Sequence, residues 1–591
     1  MLPPSPALDP TTSAAGFLLV LSIVVPVSGI LLAFVLGDRF VRLVAFTVIP
    51  IGAAIAVAIL LALPQSNGPL IYLLGAWPPP LGIALRADGL SAVMLAAAAA
   101  VICAVAVFAA ADFSPARAEA RAPFAFWILL LAIWGALNTI VLSGDLFTFY
   151  VALELMTFAA VPLVSLEGRA ETLQAALRYL LFALLGSVLY LLGVALFYGL
   201  YGTLDVALLS RLVRAEPAAL IAAALMTTGL LAKTALFPLH LWLPPAHAGA
   251  PSAASAILSG LVVKGSFFII VRLWFNVMPG LPGFAATQLI AALGGAAILF
   301  GSIVALRQQR LKLLIAYSTL AQIGYLFLMF PLAFGASGKL ESGGALAGGL
   351  LQTISHATAK AAMFMAAGSI YAALGHDRIS GLGGAGRMVP ISVLTFALSG
   401  LALMGMPPGG AYLAKDLLLQ AAAEQGQWWW DVVLQAGGFF TGAYVLLVLT
   451  HAMAPASEPI KSDSSPSRIG ELAALALALC SLLLGLVPWD AYLPIAPGAS
   501  VKLDLAALSK ALLPLLGGAV VAILLGRWEL PPGHPSRWKA LLSTVEPIRR
   551  PVLAASTVVE KADNILRQWP AACICLLLLA ALFAVLMRPA A

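Results

Sequence analysis

Five ionisable side chains stand inside stretches otherwise fit for hydrocarbon: Glu154, Lys233, Lys264, Lys360 and Lys415. A charge at the centre of a spanning helix costs about 2.5–3.5 kcal/mol, so five of them facing lipid would cost on the order of 12–18 kcal/mol. They are expected instead to face a bundle interior, to pair, or to line water. A single buried lysine could equally be a structural ion pair or snorkel to a helix end, as Arg272 and Lys312 beside loops are expected to do. Four lysines and a glutamate in separate helices point further, to an ionisable path. A desolvated amine exchanges its proton near neutral pH more readily than a hydrated one, so the chemistry expected is proton movement.

The neighbours of these residues sharpen the expectation. Lys233 is followed by Phe237-Pro238-Leu239-His240 and then Pro244-Pro245, and Lys415 is preceded by Pro407-Pro408-Gly409-Gly410. Proline removes a backbone donor and breaks a helix. Inside a membrane a break is tolerated only where it lines a cavity or is buried in protein. Two such breaks in corresponding positions are the mark of an inverted-repeat transporter, although no residue-level repeat is visible. His356 and Lys360 are four apart and share a helix face, with Thr353, Ser355 and Thr358 beside them. His240 and His247 border the first break; relay or gating is favoured for them over plain packing. Asp145 in Ser143-Gly144-Asp145-Leu146 reads as a helix cap rather than a relay member. Asp416 adjoins Lys415 but points about 100° away on a helix. It is expected to tune Lys415 or to meet a neighbouring subunit.

The elements that must hold these groups follow from composition. Of 591 residues, 62% are apolar and 10% charged, against roughly 25% charged in a soluble chain. This excludes a soluble enzyme, a disordered chain and a nucleic-acid binder, since the net +7 is scattered between apolar runs. Sixteen runs read as spanning helices, near 15–36, 42–63, 89–111, 124–143, 147–166, 179–203, 218–238, 252–276, 284–305, 313–335, 346–374, 390–420, 432–453, 470–488, 511–526 and 569–587. Placing the N-terminus outside puts Arg39/Arg42, Arg117/Arg121, Arg169/Arg178, Arg307/Arg310/Lys312, Arg378/Arg387, Lys461/Arg468 and the basic segment 527–568 all on the inner side. Within that segment, 536–568 is amphipathic, carries Pro547 and Pro551, and reads as a helix on the inner surface. At 1.5 Å per residue it reaches about 45 Å, enough to brace this subunit or touch one neighbour. No Lys or Arg precedes Arg39, so a cleavable signal is not expected. The four cysteines lie in apolar runs without a Cys-x-x-Cys, so no metal, no cofactor and no redox chemistry of the chain's own are expected. Gly381-Leu-Gly383-Gly-Ala-Gly386 matches a dinucleotide fingerprint in letters but follows no strand.

Four stretches carry a family resemblance in order. Ser143 to Glu154 resembles the fifth helix of the antiporter-like proton-translocating membrane subunits. Ala232 to Ala256 resembles their broken seventh helix and the loop beyond, Ser355 to Phe364 the eleventh, and Gly405 to Asp416 the broken twelfth. The match covers about 90–455. The family holds the D-type subunits of Mrp sodium/proton antiporters, the large subunits of membrane-bound hydrogenases and the pumping subunits of complex I. The resemblance implies an all-α polytopic transmembrane bundle with a fourteen-helix antiporter-like core, two inverted five-helix repeats, and here two extra C-terminal helices. It further implies a Glu154–Lys233 pair and a relay through Lys264 and Lys360 to Lys415. Lys264 looks more like the Mrp and hydrogenase branches; Lys415-Asp416 looks more like the hydrogenase and complex I side. Thr148-Phe-Tyr150 and Gly409-Gly410 depart from the family pattern.

The expected organisation is N-terminal helices in 1–123, a first repeat in 124–276 broken at 233–245, a second in 284–453 broken at 405–416, and C-terminal helices in 470–591. The expected function is proton translocation through a Glu/Lys/His relay (Glu154, Lys233, Lys264, His356, Lys360, Lys415). The chain would act as a subunit of a multisubunit complex in an inner (plasma) membrane, in a lipid bilayer and beside other membrane subunits, with sodium transport left open. The alternatives are a membrane-arm subunit of a hydrogenase or NADH:quinone oxidoreductase, a non-conducting structural subunit, and an energy-coupling partner of a soluble enzyme.

Overall fold

The computed structural model describes residues 11–113, 121–335, 340–456, 466–496, 505–526 and 536–587. Arg117, Lys461 and Arg527 lie outside the described residues. Backbone that crosses hydrocarbon must satisfy its own hydrogen bonds, which only helices or closed barrels achieve. Here the solution is helical: among the described residues fourteen helices are long and apolar enough to cross a membrane, and Pro390–Met404 and Leu512–Leu525 are shorter apolar helices. Together they account for all sixteen expected runs.

Three details differ from the hydropathy pattern. The run expected at 179–203 is a longer helix, Ala170–Tyr201, whose polar first turns precede the apolar stretch. The run expected at 390–420 is two helices, Pro390–Met404 and Gly410–Glu424, because the backbone turns between them. A two-stranded antiparallel hairpin, Leu70–Leu73 with Ala84–Ala87, stands between the second and third spans, and Leu85 bridges to Ser143.

Burial is graded across the bundle. Phe17–Leu36 and Trp569–Leu586 are largely exposed, whereas Ser252–Val277, Leu311–Phe334 and Gly343–Leu374 are mostly or entirely covered. Gly343–Leu374, one of these inner helices, is the lowest in hydropathy of the fourteen. A helix that never meets lipid can carry Lys, His, Gln, Ser and Thr without the insertion cost that an outer helix would incur.

The two breaks share a backbone device. Pro217–Thr234 ends on Ala235 at φ 58, and Pro390–Met404 ends on Gly405 at φ 80. In both, the left-handed residue and its successor hydrogen-bond back into the last turn: Ala235 N to Ala232 O and Leu236 N to Leu231 O, Gly405 N to Ala402 O and Met406 N to Leu401 O. This is a Schellman-type termination. Glycine makes the second left-handed residue free of Cβ conflict, while the first tolerates an alanine there.

At the C-terminal end, helix Leu505–Leu525 packs on Trp428–Met453, and Trp569–Leu586 packs on Pro217–Thr234. The helix between them, Ser536–Leu566, therefore runs from one half of the chain to the other, with Pro547 and Pro551 inside it.

A buried ionisable path

The first cluster forms where three helices meet. Gly186 on Ala170–Tyr201 and Gly229 on Pro217–Thr234 touch backbone to backbone; a Cβ on Gly229 would lie 2.2 Å from the Gly186 carbonyl oxygen. This glycine contact lets the two helices approach closely and brings Ser187 and Lys233 beside Leu146–Val164. The Lys233 ammonium donates to Glu154 Oε1 at 2.8 Å and to Thr157 Oγ1 at 2.9 Å. Ser187 Oγ donates to the same Glu154 oxygen. Glu154 thus has two donors on one oxygen, and Lys233 is tied to a carboxylate and a hydroxyl within a buried pocket of the bundle. Thr157 and Ser187 are site residues beyond those expected from the sequence. The signals for them were an i, i+3 spacing from Glu154 and a lone serine in an apolar helix.

The second cluster is central. Lys264 and Lys360 are both fully buried. A π-helical turn, Leu258–Val262, precedes Lys264; such single turns recur at functional sites. Lys264 Nζ donates to the Ser259 carbonyl, and Ser259 Oγ meets Thr319 Oγ1 at 3.0 Å. Lys360 Nζ donates to Ser318 Oγ and lies 3.4 Å from the Ile315 carbonyl. Ser318 and Thr319 are adjacent on Leu311–Phe327, so one helix touches Lys360 directly and is linked to Lys264 through Ser259. His247 and His356 are buried nearby, and no ring nitrogen of either finds a hydrogen-bond partner among the described residues. His247 stacks on Phe364 at 4.7 Å between centroids.

The third cluster surrounds Lys415 on Gly410–Glu424. Its ammonium donates to Gln435 Oε1 at 3.4 Å, and among the described residues no carboxylate forms an ion pair with it. It borders a cavity shared with Tyr325, Gln352, Gly405 and Gly438. Asp416 turns away and accepts from Gln420 at 2.9 Å.

The remaining candidates separate from the path. Asp145 caps Leu146–Val164, accepting from the Thr148 amide at 2.8 Å and hydroxyl at 3.1 Å. His240, just past the first break, is fully buried and sits with Nε2 3.0 Å from Asp563 Oδ1. Asp563 belongs to Ser536–Leu566 and also accepts from the Tyr317 hydroxyl at 2.6 Å and pairs with Arg567 at 2.8 Å. Burial alone would raise this carboxyl, but the bonds from His240 and Tyr317 and the Arg567 charge hold it below the usual carboxylate range. Nothing in the local sequence marks Asp563, because 323 residues separate it from His240. Arg272, expected to snorkel, makes a two-toothed pair with Asp88 at 2.5 and 2.6 Å. Lys312 is buried, with Nζ 3.2 Å from the Ala250 carbonyl and over the Tyr371 ring. Among the described residues no group of His, Cys, Asp and Glu could hold a metal ion.

The same span of the chain is similar to known proteins. The family profile described as NADH:quinone oxidoreductase/Mrp antiporter, TM, matches residues 143–441, a span that contains Glu154, Lys233, Lys264, His356, Lys360 and Lys415. The N-type subunit of the NADH-quinone oxidoreductase of Desulforudis audaxviator is 32% identical over 391 residues, 65% of this chain and 75% of that one. The D-type subunit of the Na(+)/H(+) antiporter of Alkalihalophilus pseudofirmus is 30% identical over 389 residues, 65% of this chain and 76% of that one. Among solved structures, a chain of the Mrp complex from Dietzia sp. DQ12-45-1b superposes with TM-score 0.72 at 25% identity, covering 86% of this chain and 97% of that one. A chain of the membrane-bound sulfane sulfur reductase, an archaeal respiratory membrane complex, shares the fold with TM-score 0.70 at 24% identity, covering 85% of this chain and 99% of that one.

Proposed function

Because this chain belongs to the NADH:quinone oxidoreductase/Mrp antiporter transmembrane family, we propose that it moves protons across an inner (plasma) membrane as an antiporter-like subunit of a multisubunit complex. Its route is Glu154–Lys233, then Lys264 with His356 and Lys360, then Lys415. The observation that carries this reading is the 2.8 Å contact between Lys233 and Glu154 at the end of the first broken helix. At an effective dielectric of 20, opposite unit charges attract by about 6 kcal/mol at 2.8 Å and about 2 kcal/mol at 7 Å. Opening the pair therefore changes the proton affinity of Lys233 by roughly two to three powers of ten, since each 1.4 kcal/mol is tenfold. Lys233 is the switch, Glu154 sets its affinity, Lys264 and His356/Lys360 are intermediates, and Lys415 is the exit.

The chain's two breaks, built on the same left-handed termination, support two repeats of inverted topology, 124–276 and 284–453. Positive charge between the spans supports an outer N-terminus and an inner-surface position for Ser536–Leu566. The similarity to the quinone oxidoreductase relative favours a second assembly, the membrane arm of a redox-driven quinone oxidoreductase, in which the same relay is driven by electrons handled on other chains. Reconstitution with the operon partners, with pH gradients followed in the presence and absence of sodium, tests the reading. Flux abolished in Glu154→Ala with the complex still assembled supports it; wild-type flux in that variant sinks the switch.

A further inference from the structure

One buried acid–base pair is not used by the relay. His240 stands in the break between Pro217–Thr234 and Leu243–Gly249, on the chain just beyond Lys233. Its ring is fully buried beside Phe237 and Phe300, at 5.8 and 5.6 Å between centroids. Apolar walls leave the protonation of the ring to its one polar contact among the described residues, Nε2 at 3.0 Å from Asp563 Oδ1. Nδ1 is buried and has no hydrogen-bond partner among the described residues. A buried polar atom left open in this way requires a reason.

Asp563 is brought there by several contacts. It lies near the end of Ser536–Leu566. Glu560, at i−3 on the same helix face, pairs with Arg307 at 3.5 Å. Arg307 directly follows Phe284–Leu306, the helix that carries Phe300. The second carboxylate oxygen, Oδ2, accepts from the Tyr317 hydroxyl at 2.6 Å and pairs with Arg567 at 2.8 Å. A guanidinium is a permanent cation with donors only, so Arg567 holds Asp563 as a carboxylate. A carboxylate only accepts. Nε2 must therefore carry the ring proton, and the neutral ring presents its lone pair at Nδ1.

We propose that Asp563 is the positioning residue for a proton-accepting His240: it fixes the tautomer that leaves Nδ1 open and steadies the imidazolium that forms when Nδ1 is filled. The inference rests on the relay reading above and adds one carrier to the break that follows Lys233. In the cycle an entering proton bonds to His240 Nδ1, the ring becomes imidazolium, and the Nε2 proton stays on its bond to Asp563 Oδ1. Loss of the Nδ1 proton toward the Glu154–Lys233 switch returns the neutral ring. Asp563 stays ionised throughout. The carboxylate of a Ser-His-Asp triad divides the work with its imidazole in the same way.

The test uses the full complex in proteoliposomes with a pH-sensitive dye. His240→Gln removes the exchanging nitrogen and is expected to lower flux by roughly 100-fold, the scale of one positioned acid–base group. Asp563→Asn decides the role of the carboxylate. Tyr317 and Arg567 both donate to Oδ2, so they keep the amide oxygen and turn its NH2 toward His240. The ring must then accept at Nε2 and hold its own proton on Nδ1, where no second proton can enter. Flux is expected to fall nearly as far as in His240→Gln, and no further in the double variant, because the two residues act as a unit. Solid-state NMR of histidine nitrogens in lipid, with His240→Gln assigning the signal, should show the proton moved from Nε2 to Nδ1. Glu560→Gln weakens the anchor of the same helix without touching the tautomer, and is expected to lower the melting temperature while flux stays within a few-fold of wild type. Wild-type flux in Asp563→Asn, an unmoved ring proton, or a loss in Glu560→Gln as deep as in Asp563→Asn would overturn the positioning role. Wild-type flux in His240→Gln, with Glu154→Ala inactive, would overturn the carrier and leave the relay standing; wild-type flux in Glu154→Ala would overturn the relay itself.

Discussion

The two broken helices present a contrast built on a common frame. Both end on a left-handed residue with the same pair of backward hydrogen bonds. The lysines, however, stand on opposite sides of that residue: Lys233 before Ala235, Lys415 after Gly405. Their company differs too. Lys233 is locked by a carboxylate at 2.8 Å and a hydroxyl at 2.9 Å, while Lys415 rests on an amide oxygen at 3.4 Å beside a cavity. A buried lysine with a carboxylate is held charged by an attraction that must be broken before the proton can leave. Lys415 meets a carboxylate only through an amide, since Gln435 Nε2 donates in turn to Asp431 at 3.3 Å, and a lysine held this way is freed with less rearrangement. The backbone supplies the break in both places, and the neighbouring side chains decide what each lysine meets; in the proposed relay the first is a lock and the second an outlet.

Substitutions can break or sharpen this contrast. The largest effect is expected at the lock. Glu154→Ala leaves the Lys233 amine buried without its carboxylate, a change that costs about 3–5 kcal/mol when the orphan stays charged, so proton flux should fall to background with the complex intact on a native gel. Next is the glycine contact that positions the lock. Gly229→Ala places a Cβ 2.2 Å from the Gly186 carbonyl oxygen, and overpacking of this kind costs about 1–3 kcal/mol. A lowered melting temperature with partial loss of flux is the expected reading.

The first break carries a side-chain restraint, the His240–Asp563 contact, where the second is held by a backbone bond from Gly485 N to Pro408 O at 3.0 Å. Asp563→Asn should cost about 2 kcal/mol, the scale of a buried hydrogen bond to a charged group. The sign of its pH dependence follows from the lowered carboxyl. Stability from this group is present above the unfolded value near 3.9 and is lost as pH falls through the lower folded value. Thermal melts taken below pH 5 should therefore decline more steeply in the parent than in Asp563→Asn; equal slopes would remove Asp563 from the acid limb. The smallest effect is expected at the outlet, where Gln435→Leu removes one weak hydrogen bond worth about 0.5–1.5 kcal/mol and should change flux by only a few-fold.

Much of this was legible in the residue order. A lysine or glutamate stranded in an apolar run announces itself, because hydrocarbon makes the charge costly wherever the helix ends up. Pro238 and Pro407-Pro408 announce the breaks for an equally local reason. The hydroxyls and amides were not legible. Ser318, Thr319 and Gln435 are ordinary in any helix, and Thr157 and Ser187 are common in membrane spans, so composition gives them no prominence. Arg272 and Lys312 were expected to snorkel, yet Arg272 closes on Asp88 and Lys312 is covered against the Ala250 carbonyl. Their partners come from distant turns that hydropathy does not see.

Sequence alone determined that the chain spans a membrane many times, which side chains hydrocarbon cannot accept, and where two helices must break, because each of these follows from the free energy of a residue among its near neighbours. Tertiary structure alone decided that Glu154 and not Asp145 meets Lys233, that Lys415 meets an amide, and that Asp563 reaches back to His240. Those pairings depend on helix rotation and close approach, set by contacts such as Gly186 on Gly229, and a one-dimensional pattern carries no record of which faces will touch.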